Sequence, residues 1–118
     1  MFYQHLPLYL KLTLLLKLLY QVVHHLPREY KYTLGQETIN QNWRLLDLFV
    51  AAQSFGKSRL DLERKIDAIN QMSLTHNCFR LRIRFLAELQ LISLGQVAQI
   101  DDYLNEIGRM IGGWKKQV

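Results

Sequence analysis

The chain has 118 residues, 49% hydrophobic and 21% charged, so it is neither a disordered tail nor a pair of independent domains. Lys and Arg number 15 against 10 Asp and Glu, a formal net charge of +5 that favours a polyanion or an acidic surface as partner. The single cysteine, Cys78, excludes an internal disulfide and any cysteine-rich zinc site, and six glycines with two prolines are too few for a sandwich full of tight turns.

Pro7 and Pro27 bracket one uninterrupted segment. Within it Leu8, Leu12, Leu15, Leu19, Val22 and Leu26 recur at helical spacing, so a first helix is expected over residues 8–26, ended by Pro27. Thr33-Leu34-Gly35-Gln36 fits a capping box, with the Thr33 hydroxyl accepting from the backbone three residues on and Gln36 reaching back. A second helix then follows over 34–55 with Ile39, Trp43, Leu46 and Val50 inward and Gly56 as its C-cap. Ser58 can cap a third helix over 58–91, striped by Leu62, Ile66, Ile69, Met72, His76, Phe79, Ile83 and Leu86. Ser93-Leu94-Gly95-Gln96 is a second box, opening a helix over 94–112 striped by Val97, Ile100, Leu104, Ile107 and Ile111, with Trp114 next and Gly112-Gly113 as the stop. No segment reads as a strand. The expectation is all-α: a single domain over 1–118, folded as an antiparallel up-down four-helix bundle.

Two helices are apolar on a second side. Leu74, Cys78, Leu81, Phe85 and Ile92 fall away from the third helix's main stripe, and Leu10, Leu14 and Leu18 away from the first's. A four-helix monomer has one interior, so these second faces are expected to meet another subunit, the alternative being a wide stripe wrapped within one monomer.

Catalytic constellations are thin. None of His5, His24, His25 and His76 belongs to a metal-binding spacing such as H-E-x-x-H. His76 reads as a buried histidine bonded to a neighbour, and His24-His25 as cationic groups at a helix C-terminus. Asp61, Glu63 and Asp101-Asp102 open helices, where acids suit the dipole. Cys78 has no adjacent base, and no glycine-rich phosphate loop exists. The expectation is no enzyme, no cofactor and no metal. Lys11, Lys17, His24 and His25 break the apolar run of the first helix, so neither a membrane span nor a signal peptide is expected, and a cytoplasmic setting is the default.

The basic residues carry a stronger signal. No acid lies between Asp67 and Glu88, while Arg80, Arg82 and Arg84 do, and Arg80 and Arg84 are neighbours on one helical surface with Ser73 and Asn77. Arginine forks bind phosphate bidentately, and an oligomer would repeat the patch around its surface. A solvated face with intersubunit salt bridges is the equal alternative. No acid occurs in residues 1–28 either, where Lys11, Lys17 and Arg28 lie. Arg28, Tyr30, Lys31 and Tyr32 form a basic-aromatic turn that could stack bases, although the reading preferred from sequence is that the tyrosines anchor the turn on the bundle end.

Two stretches go beyond composition: Leu26-Pro27-Arg28-Glu29-Tyr30-Lys31-Tyr32-Thr33-Leu34-Gly35, and Asn105-Glu106-Ile107-Gly108-Arg109-Met110-Ile111-Gly112-Gly113-Trp114. From about Leu8 to Lys116 the chain resembles the accessory variability determinant (Avd) proteins of diversity-generating retroelements, within a wider family that includes proteins encoded in intervening sequences of 23S rRNA genes. It departs from the usual turn at Leu26, where Phe is common, and at Lys31-Tyr32, where Arg-Phe is common. The resemblance implies a homopentameric barrel with a positive surface. It also implies binding of RNA or DNA and of a reverse transcriptase, in support of template-RNA-dependent mutagenic cDNA synthesis and retrohoming. On that reading Arg80, Arg82 and Arg84, with Lys11, Lys17, Arg28 and Lys31, contact nucleic acid or the polymerase. The alternatives are an intervening-sequence-type protein or scaffold without a polymerase partner, and a membrane-surface helix.

Overall fold

A computed structural model describes residues 6–118. Helix α1 spans Leu6–His24, the single turn α2 spans Arg28–Tyr30, and a wider π-turn over Lys31–Gly35 leads without a break into α3, Gln36–Ser54. Helices α4, Arg59–Glu88, and α5, Leu94–Gln117, complete the chain, and the described residues contain no strand. The long helices form a square in which α1 and α4 each pack on both α3 and α5. Tyr9 meets Phe49, and Lys65 meets Trp114 while Arg80 meets Asp101, so sequential long helices run antiparallel in a four-helix bundle 48 Å long.

The first helix buries the stripe read from its spacing: Leu8, Leu12, Leu15, Leu19, Val22 and Leu26 are all inside. The core face of α3 is turned by about one residue from the expected one. Trp43 and Val50 are exposed, while Asn42, Leu45 and Phe49 are buried. Asn42 explains the shift: its amide reaches the backbone of α1, donating to the Leu12 carbonyl at 3.1 Å and accepting from the Leu16 N–H at 3.3 Å. A polar residue that cross-links two helices is invisible to a count of apolar positions. Of the α4 stripe, Ile69 through Leu86 is buried as expected, whereas Leu62 and Ile66, in its first turns at the bundle end, are exposed. Ile92, expected on the outer face, is 7% exposed and belongs to the core.

Caps decide the helix ends. Ser58 accepts from the Asp61 N–H at 3.1 Å, and the Ser93–Gln96 box is reciprocal, at 3.1 and 2.8 Å. The Thr33–Gln36 box does not form. The second long helical run starts at Arg28 rather than 34, with the Pro27 carbonyl accepting from the N–H groups of Tyr30 and Lys31, both at 2.9 Å. Thr33 therefore sits inside a helix, where its hydroxyl donates back to the Glu29 carbonyl at 2.7 Å. Helix α4 stops at Glu88, short of 91, because Gln90 adopts φ 60° and closes a Schellman motif: Leu91 N–H to Leu86 O and Gln90 N–H to Ala87 O. Gly56 has no left-handed φ; its N–H donates to Asp61 instead. Gly112-Gly113 do not stop α5 either, which runs through them to Gln117 and buries Ile111 and Trp114 on either side.

Candidate nucleic-acid interface

The three arginines of α4 diverge. Steps of two residues rotate by about 200°, which puts Arg80 and Arg84 on one side and Arg82 on the other. Arg80 faces α5, where its guanidinium meets Asp101 at 3.4 Å and donates to Asn105 at 2.9 Å. This residue is thus a clasp between α4 and α5, with its charge matched inside the molecule. Arg82 faces α3, half-buried, and donates to the Gln41 side chain at 3.2 Å. Arg84 is exposed and makes no ion pair among the described residues.

The second basic group divides the same way. Lys11 pairs with Glu106 at 2.8 Å and lies over the Tyr103 ring at 5.7 Å, another contact between helices. Their hydrogen bond raises the Lys11 ammonium above its ordinary value and lowers the Glu106 carboxyl below its own. Lys17 and Arg28 are exposed, and Lys31 is half-buried beside Tyr32 in a cavity of about 200 Å³ against the end of α1. Of the seven basic positions singled out from sequence, Lys11 and Arg80 are matched by acids; Arg84, Lys17 and Arg28 present unmatched charge on exposed side chains, and Arg82 and Lys31 are half-buried with no ion pair among the described residues.

Two clues that lie 50 residues apart in sequence meet in space. Tyr30, Tyr32 and Leu34 of the basic-aromatic turn face Arg82, Phe85 and Leu89 of α4 across a groove of about 660 Å³. The π-turn that carries Tyr32 and follows Tyr30 is pinned from inside by Gly35. A Cβ there would stand 2.8 Å from Val23 and 3.0 Å from Leu26, so only glycine lets the turn lie this close to α1. The tyrosines do not both anchor the turn: Tyr32 is 69% exposed.

The apolar face expected to meet another subunit lies open on α4. Leu74 and Leu81 are each about two-thirds exposed, Phe85 is exposed and Cys78 is half-buried. On α1, Leu10 and Leu14 are exposed, while Leu18 is half-buried against the core.

His76 is buried, with Nε2 at 2.7 Å from the Leu104 carbonyl, and Gly108 makes room for its ring, since a Cβ would stand 3.0 Å from Cε1. His24 and His25 meet edge to face at the end of α1. His5 lies outside the described residues. A further group of cations emerges only in the fold. Lys65 lies over the Trp114 ring at 5.8 Å, which brings the start of α4, with Lys57, Arg59 and Arg64, to the end of α5, with Lys115 and Lys116. Its signal in the sequence is a density of Lys and Arg, diluted by Asp61 and Glu63, which pair with Arg64 and Arg59.

Among the described residues no group of His, Cys, Asp and Glu could hold a metal ion, and no helix is long and apolar enough to cross a membrane. The class this defines is a small basic four-helix bundle that presents charged and apolar surfaces. Its particular kind follows from comparison with family models: residues 8–118 match the bAvd-like family, and the chain belongs to it. Membership makes it an Avd-type accessory protein of diversity-generating retroelements at the level of the family. Comparison with curated proteins and with solved structures gave no match.

Proposed function

We propose that this chain is a non-catalytic accessory factor that binds RNA or DNA together with a reverse transcriptase, and so supports template-RNA-dependent mutagenic cDNA synthesis and retrohoming. The observation that carries the reading is the family match over residues 8–118. Arg84, Lys17 and Arg28 are the groups that contact phosphate or the polymerase, because their charge is not matched within the chain. Arg82 and Lys31 contribute at the groove, while Arg80 and Lys11 act mainly by fixing α5. The protein works in the cytoplasm as a homo-oligomer, a pentamer in keeping with its resemblance, with Leu74 and Leu81 of α4 and Leu10 and Leu14 of α1 covered by neighbouring copies. Two apolar helix faces of this kind, on diagonal helices, are costly to leave in water.

The first test is the DNA flanking the gene. A neighbouring reverse-transcriptase frame with paired template and variable repeats is expected. A position inside a 23S rRNA gene would remove the polymerase partnership. In solution, replacing Arg84, Lys17 and Arg28 together by Gln should weaken RNA or DNA binding and flatten its salt dependence, since a protein that neutralises fewer phosphates releases fewer counterions. A folded triple variant with an unchanged salt slope would sink the assignment of these residues.

A further inference from the structure

We propose that the groove between the π-turn and α4 holds an unpaired base of a single-stranded nucleic acid, stacked on Tyr32, with its phosphate facing Arg82. The inference rests on the nucleic-acid reading above and narrows it to one strand form and one place.

Four observations lead there. Tyr32 keeps an aromatic ring 69% exposed, while the neighbouring Leu34 is half-buried against the core and Gly35 is buried. The ring is nonetheless carried on a fixed mount, because Pro27 starts the turn and Gly35 wedges it against Val23 and Leu26. An exposed ring on a fixed stretch of backbone is suited to stacking on a base, and every base has a face to offer. The opposite wall is apolar, made by Phe85 and Leu89, and the groove's volume of about 660 Å³ falls in the range of small-ligand sites.

A slight excess of positive charge around the groove suits a phosphate beside Arg82. Arg82 lines the groove opposite Glu37, Lys31 borders Tyr32 on its other side, and Arg28 is exposed at the start of the same helical run beside Glu29. Gln36 donates its amide N–H to Asn40 at 3.0 Å and keeps its carbonyl oxygen to accept from a base amine. π-turns recur at functional sites, where the extra residue re-aims side chains that a regular helix would turn elsewhere. A duplex closes its base faces by internal stacking, so such a platform serves single strands.

The test compares wild type, Tyr32→Ala and Tyr32→Phe on an oligouridine of about 12 nucleotides and on an RNA duplex of about the same length. Tyr32→Ala should weaken the single strand about tenfold, leave the duplex within about twofold, and keep the wild-type melting temperature; Tyr32→Phe should bind as wild type. Equal losses on both strand forms, or no loss on either, would overturn the groove while leaving general nucleic-acid binding intact. Unchanged oligouridine binding with impaired reverse-transcriptase capture would give the groove to the protein partner instead, and overturn it too. Wild-type protein without affinity for either RNA would remove both this inference and the nucleic-acid part of the proposed function.

Discussion

The two sequence stretches most characteristic of the chain each centre on glycine, yet the glycines differ in kind. Gly35 and Gly108 are contact glycines: an added Cβ would meet Val23, Leu26 and the Tyr30 carbonyl at the first, and the His76 ring at the second. At Gly112 and Gly113 an added Cβ would meet nothing within 4 Å. One pair is set by packing inside the molecule, while nothing within the described residues requires the other. Residues that look alike in a motif therefore answer to different constraints, and substitution by alanine separates them by the sign of its effect.

The largest effect is expected at Gly35→Ala. Two side chains and a backbone carbonyl must give way, an overpacking cost of about 2 kcal/mol, visible as a lower midpoint in urea. An unchanged midpoint would mean that the π-turn relaxes freely and is no fixed mount. At Gly108→Ala the obstacle is one imidazole, and the helix gains by losing a glycine, so the net loss should be about 1 kcal/mol. In a His76→Ala background that loss should disappear, and a persisting loss in this double-mutant cycle would show that the ring is not the obstacle.

Gly112→Ala and Gly113→Ala should raise stability, each by somewhat under about 1 kcal/mol, or roughly 4 °C in melting temperature. A fall instead would break the comparison, because it would mean that another molecule's backbone approaches α5 there. The smallest effect belongs to the Lys11–Glu106 pair. Glu106 is held below its ordinary 4.5, so its contribution is complete above that pH and is lost as pH falls through the lowered value. Lys11 is held above 10.5, so its contribution is complete below that pH and is lost as pH rises through the raised value. Glu106→Gln should thus cost a little stability at pH 7 and nothing in strong acid, measured by thermal melts across pH. A deficit that grows on acidification would contradict the pairing.

Periodicity makes α1, the buried part of α4 and most of α5 legible, because their inward residues are apolar at helical spacing. Ser58 and the Ser93–Gln96 box are legible because each cap is completed within three residues. The T-x-x-Q at Thr33 has the same signature and a different outcome, since the Pro27 carbonyl has already opened the helix upstream and the hydroxyl turns back to Glu29. Gly112-Gly113 read as a stop on helix propensity alone, but the burial of Ile111 and Trp114 carries α5 past them. At the site, the arginines are visible in the sequence but not their employment. That Arg80 is tied to Asp101 and Asn105, or that Arg82 stands across from Tyr30, depends on how α4 lies against its neighbours, and spacing along one helix does not encode it.

The π-turn has a consequence for how such chains vary in length. It is a helix holding one residue more than a regular ladder accommodates, stored at the joint between α2 and α3. Deleting a single residue within 31–35 would let the ladder close as an ordinary helix, while Asn42, Leu45 and Phe49 downstream stay in register with the core. The single turn α2 just upstream would swing by about 100°, carrying Arg28 and Tyr30 to a new bearing around the axis, while the connection at 25–27 takes up the change before α1. Loss of one codon at this joint therefore re-points the outer surface at the bundle end while α3 keeps its register, a change that point substitutions would reach only by many steps.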